Sequence, residues 1–315
     1  MRHDVAIIGG GRWGRVILSV LATSDLPVDR ITLVTTHNAA LAQNLVSQLA
    51  SNHPIRIVSE LSDSASVAII ANAARSHGET ARNLIARGAH LLIEKPVVLT
   101  LPEARQLLSL ARAARTILLA GLSYRFCSYL RNFARRIVPP RPITGFDLHW
   151  SDPAGEIRYG EQKIYDATIN VADDVMPHVW AILSVLFPQA VFAVTSCTTA
   201  RGGKSATFTL SAGGMKGSVT LERDSDRRRR MIQLSAPASL DFSVEPGTMT
   251  IGAETMTADD DWANSPGPLA RQLRYFLECV EDGKTAEEDE TALFESVRLA
   301  ESASALFNAR VPVEG

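Results

Sequence analysis

Cysteine is scarce in this chain: Cys127, Cys197 and Cys279 are the whole supply in 315 residues. They are odd in number, far apart and without metal-ligand spacing. That excludes a disulfide framework and a zinc site and leaves them as small buried hydrophobes. A surplus of charge is lacking too, with 32 basic against 34 acidic side chains and a formal net charge of −2. No global field holds nucleic acid or an anionic membrane, so small-molecule partners are expected. The longest apolar stretch, Val179 to Phe187, is too short to span a bilayer. Arg2, His3 and Asp4 run straight into Val5-Ala6-Ile7-Ile8, which leaves no room for a signal peptide or transit sequence. A cytoplasmic location is expected.

What is present is the composition of an ordinary globular protein, 46% apolar and 21% charged, at about twice the usual length of one domain. Two domains are therefore expected, 1–121 and 122–315. In the first, the short apolar runs Val5–Ile8, Ile31–Val34, Val67–Ala71, His90–Ile93 and Ile117–Ala120 alternate with helical segments. These segments are Trp13–Ala22, Ala39–Ala50, Gly78–Ala86 and Pro102–Ala113, the last opened by Thr100 as an N-cap. This is how βαβ units with a parallel sheet read, an α/β Rossmann domain. No internal repeat or low-complexity tract is found.

After Gly121 the texture changes. A helix near Ser128–Ile137 leads through the stop Pro139-Pro140-Arg141-Pro142 to a strand at Gly145–Trp150, and a second helix covers Pro177–Leu186. Val191–Thr199, Ala206–Ala212, Lys216–Glu222 and Arg228–Ala236 then read as a meander of antiparallel strands. Helices Leu269–Glu281 and Thr291–Asn308 follow a boundary at Pro-Gly-Pro 266–268. The expectation is an α+β domain with a large open, mostly antiparallel sheet and helices on one face. The run Arg227–Arg230 follows Asp224 and Asp226 and reads as a solvated strand end, with an anionic substrate or a partner subunit as the alternative.

Chemistry enters at Gly9-Gly10-Gly11-Arg12-Trp13-Gly14, a G-x-G-x-x-G that directly follows a strand and opens a helix. Gly9 permits the tight turn, Gly11 lets backbone approach a pyrophosphate, and Gly14 allows close helix–strand packing, with free N–H groups facing the anion. A turn with no ligand is the alternative. At the end of the second strand stand Thr35-Thr36-His37-Asn38, where an acid would accept hydrogen bonds from the adenosine ribose of NAD. No carboxylate is there to repel a 2′-phosphate, and hydroxyl, amide and imidazole groups can serve that phosphate, so NADP is preferred and NAD is the second choice.

Glu94-Lys95-Pro96 lies at the C-terminal end of a parallel strand, where ligands bind. Proline biases Lys95 towards extended backbone, and an ammonium held there can steady an alkoxide or polarise a carbonyl. The plain alternative is a surface turn with an ordinary Glu–Lys pair. Asp174 and His178 are four residues apart and share a face if the turn between them is helical. Pro177 is acceptable in a first turn, and Asp174 would favour imidazolium against the positive end of the helix, leaving His178 to act as general acid or base. The alternative is Asp173 or Asp174 as an N-cap and His178 as a core residue.

In this order and spacing, these motifs resemble the family of glucose–fructose oxidoreductase, inositol dehydrogenase and the rhizopine-catabolism oxidoreductases, over nearly the whole chain. The resemblance is carried by the glycine loop and by Ile69-Ile70-Ala71-Asn72 followed by His77. Gly88-Ala89-His90 running into Glu94-Lys95-Pro96, Tyr124-Arg125-Phe126, and Asp174 with His178 complete it. It implies Lys95 and His178 as the catalytic pair with Asp174 in support of substrate or histidine. It places Gly9, Gly11, Arg12, Trp13, Gly14, Thr35, Thr36, His37, Asn72, His77, Glu94, Lys95 and Pro96 at the cofactor, and Tyr124, Arg125, Asp174 and His178 at the substrate. It also implies a homodimer or homotetramer through the C-terminal sheet. The chain departs from the family at Asn72-Ala73 where Thr-Pro is usual, at Ile169-Asn170 where a glycine pair is usual, and at Met176 where glycine is usual. Met176 is expected to narrow or reshape the pocket. The reaction expected is hydride transfer between nicotinamide and a carbinol or carbonyl carbon of a sugar, cyclitol or related metabolite. Reduction of a C=N bond is a close variant, and a silent dinucleotide-binding regulator is the alternative of another class.

Overall fold

The computed structural model describes residues 2–61, 65–137, 143–158, 160–259, 261–262 and 267–311. The Pro139–Pro142 stop and Pro266 lie outside them. The chain divides into two compact units, one of Met1–Leu122 with Leu269–Val297 and the other of Ser123–Pro268 with Arg298–Gly315. The change of texture after Gly121 falls at the first crossing and the Pro-Gly-Pro boundary at 266–268 falls at the second, after which 269–297 join the first unit.

The first unit alternates β1 (His3–Ile8), α1 (Arg12–Thr23), β2 (Val28–Val34), α2 (Ala39–Gln48), β3 (Ile55–Val58), β4 (Val67–Ile70), α3 (His77–Ile85), β5 (His90–Glu94), α4 (Leu101–Ala114) and β6 (Leu118–Gly121). All neighbours pair in parallel, in the order β3-β2-β1-β4-β5-β6. The central strands are buried on both faces, as Val67, Ala68, Ile69 and Ile70 show, so they read as continuous apolar runs. β3 escaped the sequence reading because it is four residues long, half-exposed and interrupted by Arg56. Thr100 caps α4 as expected, its Oγ1 accepting from the Glu103 amide.

The second unit contains α5 (Ser128–Arg136), β7 (Gly145–Pro153), the short pair β8 (Ile157–Arg158) and β9 (Glu161–Gln162), and α6 (Val171–Leu186). It continues with β10 (Ala193–Ala200), β11 (Ser205–Ala212), β12 (Met215–Ser225), β13 (Arg229–Leu234), β14 (Ala238–Asp241), β15 (Thr248–Ile251) and β16 (Glu254–Thr257). The eight-stranded sheet runs β10-β11-β12-β7-β13-β14-β15-β16. The expected meander is corrected at its centre. β12 and β13 do not pair with each other but with β7 between them, parallel on one side and antiparallel on the other. One face of these strands carries Phe146, Leu148, Trp150, Phe208, Leu210, Val219, Leu221 and Ile232, all buried. The alternate residues Asp147, Thr209 and Gln233 are exposed, so the apolar face selects register. The chain closes with α7 (Gly267–Asp282) and α8 (Glu287–Asn308).

All three cysteines are buried free thiols. Among the described residues no helix is long and apolar enough to cross a membrane, and no cluster of His, Cys, Asp and Glu is arranged to hold a metal.

Candidate active site

In the first unit the glycine loop leaves β1 under close steric control. Gly9 has φ +118°, and a Cβ there would lie 2.5 Å from the Ala71 carbonyl oxygen. A Cβ on Gly14 would lie 1.9 Å from the Gly9 carbonyl oxygen, so α1 can pack on the turn only with glycine at both positions. Gly10, which the motif leaves unspecified, is equally constrained, since a Cβ would meet the Thr35 hydroxyl at 2.4 Å. Gly11 is the contrast: a Cβ there has nothing within 4 Å. It is the N-cap of α1, which has no side-chain cap and no acid in its first turn. The turn thus presents uncapped amides towards open space at a positive helix end, which fits a dinucleotide pyrophosphate. Buried Arg15 braces the loop from inside α1, donating from Nη1 to the Gly10 carbonyl at 2.5 Å.

At the end of β2, Thr35 is buried against Gly10 and accepts from the Asn38 amide at 3.3 Å, while Thr36 and His37 are exposed. Beyond β4, the Asn72 side chain donates to Thr80 Oγ1 at 3.0 Å. His77 is buried between two carbonyls, Nδ1 lying 2.8 Å from that of Pro96 and Nε2 3.1 Å from that of Asn72. The imidazole therefore ties the turn after β4 to the turn after β5. The Lys95–Pro96 peptide is cis, which the sequence did not indicate. Glu94 is buried, and its Oε2 accepts from the Lys95 amide at 3.3 Å. Burial raises its pKa to about 7, against the opposing pull of the Lys95 ammonium and amide. Lys95 itself is half-buried.

His178 and Asp174 belong to the second unit, whereas Lys95 belongs to the first. Helix α6 begins earlier than its apolar run suggested, at Val171. Asn170 is the N-cap, accepting from the Ala172 and Asp173 amides while Asp173 reaches back, a reciprocal capping box. Asn170 also donates to Ser304 Oγ at 2.7 Å. This gives a structural reason for asparagine where the resembling family carries glycine, and it corrects the expectation of an acid as N-cap. Pro177 consequently lies well inside the helix rather than in its first turn, and the Asp173 carbonyl loses the amide it would otherwise have received. Met176 is fully enclosed, a core residue rather than a wall of an open pocket.

Asp174 and His178 are the half-exposed stripe of an otherwise buried helix segment. The Asp174 carboxylate pairs with Arg223 on β12 at 3.1 Å, and that guanidinium also donates to the carbonyls of Ile169 and Asn170. The His178 ring stacks on Trp150, with centroids 5.1 Å apart at 14°, and meets the edge of Tyr124 at 5.1 Å. On Trp150 lies Arg230, its guanidinium carbon 3.6 Å from the ring centre. Arg230 and Asp152 are both enclosed and paired, and Asp152 accepts further from Lys163 Nζ at 2.6 Å and from the Trp150 indole at 3.3 Å. Burial pushes the Asp152 pKa up, but the two cations outweigh it and hold the carboxyl well below the usual range. Tyr124 is buried among Trp150, Trp262 and Phe242, and burial raises its phenol against the fields of Arg230, Arg228 and Arg158. Arg125 is half-buried, and its carbonyl receives the Arg131 guanidinium.

The Arg227–Arg230 run is not a solvated strand end. Arg228 pairs with Glu156 at 2.9 Å and Arg230 is interior, because these two alternate onto the covered face with Ile232 and Leu234. Sequence reasoning missed Trp150, Asp152, Lys163, Arg223 and Arg230. The available signal was period-two alternation: Asp152 continues the inward series Phe146, Leu148, Trp150, and Arg230 continues that of β13.

Residues 3–122 match the family GFO_IDH_MocA, described as an oxidoreductase family with an NAD-binding Rossmann fold. No curated protein matches the sequence. Among solved structures, the chain is similar to UDP-N-acetylglucosamine 3-dehydrogenase GnnA from Acidithiobacillus ferrooxidans. The TM-score is 0.75 at 16% identity, covering 99% of this chain and 100% of that one. It is similar to KijD10, a 3-ketoreductase from Actinomadura kijaniata in complex with NADP and TDP-benzene. That TM-score is 0.76 at 15% identity, covering 97% and 98%. A dehydrogenase, MviM, from Clostridium difficile gives a TM-score of 0.73 at 13% identity, covering 96% and 98%. At such identities these likenesses establish the fold across both units.

Proposed function

This chain is a nicotinamide-dinucleotide-dependent oxidoreductase of the family that its residues 3–122 match, and from that premise we propose that it moves a hydride between NADP(H) and a carbinol or carbonyl carbon of a small polar substrate. A sugar, a cyclitol or a related metabolite is the class intended. The observation that carries the reading is the first turn of α1, where Gly11 opens uncapped amides to free space while Gly9 and Gly14 are closed by backbone. Gly9, Gly11, Arg12, Trp13 and Gly14 would hold the pyrophosphate side, and Thr35, Thr36 and His37 the adenosine side. Asn72, His77, Glu94, Lys95 and Pro96 would line the nicotinamide side. The absence of a carboxylate at the end of β2 supports NADP over NAD.

The cofactor supplies the hydride donor or acceptor carbon. The Lys95 ammonium would steady the alkoxide from which a hydride leaves, or which forms as a hydride arrives at the carbonyl. His178 takes or gives the hydroxyl proton, its plane held by Trp150 and Tyr124. Asp174, anchored by Arg223, would fix substrate hydroxyls or the imidazole, and Tyr124 and Arg125 complete the substrate side. A homodimer or homotetramer through the open face of the eight-stranded sheet belongs to the same reading.

The test is turnover of polyols, ketoses and cyclic imines with NADP(H), beside calorimetric binding of NADPH and NADH. Lys95→Ala is expected to lose at least about a hundredfold in kcat with little change in cofactor Kd. Unchanged turnover removes Lys95 from the mechanism, and binding without turnover of any substrate by the native chain identifies a regulator instead.

A further inference from the structure

Lys163 is a cation of the second unit that the mechanism above leaves unused. It follows β9, where half-buried Glu161, Lys163 and Tyr165 alternate with exposed Gln162 and Ile164, so Lys163 and Tyr165 turn to one side. Its amide donates to the Glu156 carbonyl at 2.7 Å, which carries the β8–β9 hairpin one residue further and fixes the backbone. Its ammonium donates to Asp152 Oδ2 at 2.6 Å, the same oxygen that receives the Trp150 indole at 3.3 Å. His178 stacks on that indole, so one carboxylate oxygen and one ring separate the ammonium from the imidazole assigned to the proton. On its other side Lys163 lies 5.1 Å from the centre of the Tyr165 ring, and Tyr165 in turn carries the Arg223 guanidinium at 4.9 Å. Arg223 holds Asp174, one turn before His178 on α6. The circuit of contacts thus closes on the half-exposed stripe of α6, and every member belongs to the second unit.

Charge decides what this circuit can receive. Arg223 is paired with Asp174, and beside it Arg228 is paired with Glu156 and Arg158 with Glu245. Asp152 differs, because its single charge is divided between Arg230 and Lys163. Arg230 is enclosed and out of a ligand's reach, whereas the Lys163 side chain is partly exposed. An ammonium has three donors, and among the described residues the one acceptor of a Lys163 side-chain hydrogen bond is Asp152. A negative charge is therefore lacking at the atom that still has N–H groups to give. We propose that Lys163 determines specificity by receiving a carboxylate of the substrate, which makes the substrate class a polyhydroxy acid, such as a sugar acid, rather than a neutral sugar. A carboxylate matches the deficit of one charge, and a phosphate dianion exceeds it.

This inference rests on the oxidoreductase reading, and the experiment separates the two. D-glucuronate and D-galacturonate are compared with D-glucose, D-galactose and D-glucose 6-phosphate by calorimetry on the full chain, with and without NADP+. The native chain is expected to bind each uronate at least about tenfold tighter than its neutral partner, as a charge-assisted hydrogen bond allows. In Lys163→Met that ratio is expected to collapse, and in Lys163→Arg to persist. Acetylation of Lys163 in the native chain, mapped by mass spectrometry, is expected to slow in glucuronate and not in glucose. Failure of NADP+ to bind would end the dinucleotide reading, and the preference for acids is then read on the chain alone. Uronates bound no tighter than neutral sugars, a ratio retained in Lys163→Met, or tighter binding of the phosphate than of the uronates would overturn this proposal and leave the dinucleotide reading standing. If Lys163→Met does not fold, acetylation of Lys163 unaltered by glucuronate overturns it.

Discussion

Asp152→Asn tests the second unit where its interior is most polar. One carboxylate oxygen of Asp152 receives Arg230, while the other receives Lys163 at 2.6 Å and the Trp150 indole at 3.3 Å. The side chains of Asp152 and Arg230 are 1% and 2% exposed, whereas Lys163 is 24% exposed. An amide has nearly the shape of the carboxylate but cannot neutralise an enclosed guanidinium. Removing one partner of such a pair costs about 3–5 kcal/mol, most of it the charge left behind. The Lys163 arm, less enclosed than Arg230, contributes the smaller share. Urea unfolding followed by tryptophan fluorescence reads this unit preferentially, because Trp150, Trp180 and Trp262 lie in it and Trp13 does not.

The pH dependence of the loss has a fixed sign. The Asp152 pKa is depressed from its ordinary 3.8, so its contribution is complete above that value and fades as pH falls through the lower folded one. The gap between native and variant is expected to be constant from pH 7 to about pH 4 and to narrow below it. A variant within about 1 kcal/mol of the native chain at pH 7 would refute the reasoning, since the enclosed guanidinium would then survive the loss of its counterion.

Two further expectations concern the site. Gly14→Ala forces a methyl to within 1.9 Å of the Gly9 carbonyl oxygen, a backbone atom that cannot rotate away. A loss of about 1–3 kcal/mol in stability and at least tenfold weaker dinucleotide binding are expected by denaturation and calorimetry, and native-like values for both would show that the turn has slack. Trp150→Leu removes the ring that separates Arg230 from His178, lying 3.6 Å from one and 5.1 Å from the other. An aromatic contact of about 0.5–1.5 kcal/mol helps hold the imidazole in its plane, so kcat is expected to fall by up to about tenfold with cofactor Kd unchanged. An unchanged kcat would make Trp150 packing only.

The parts of this protein legible in its sequence are those made by neighbours in the chain. The glycine turn is an example: the positive φ of Gly9, the open space at Gly11 and the packing of Gly14 on Gly9 lie within one β-turn-α unit, although the Ala71 carbonyl that also excludes a Cβ at Gly9 comes from beyond β4. The strands β1, β4 and β5 are legible because a strand buried on both faces must be continuously apolar. The Thr100 cap is local too. What depended on distant segments was not legible. The insertion of β7 between β12 and β13 joins strands some seventy residues apart. The identity of Gly10 depends on Thr35, and that of Asn170 on both the α6 amides and Ser304.

The charged residues make the same division most clearly. By itself the sequence determined that a glycine turn joins the first strand to the first helix, that Lys95 follows a parallel strand and that Asp174 and His178 share one face of a helix. It misjudged the arginine run, because a count of charges cannot say which face of a strand each residue takes. Only the tertiary structure decided that Arg230 is enclosed, that Asp152 is its counterion and that Asp174 answers to Arg223. The reason is physical. Burial of a charge is tolerable only beside its partner, and the partners here come together through the sheet register and the packing of α6 on β12, non-local quantities that no single stretch of chain contains.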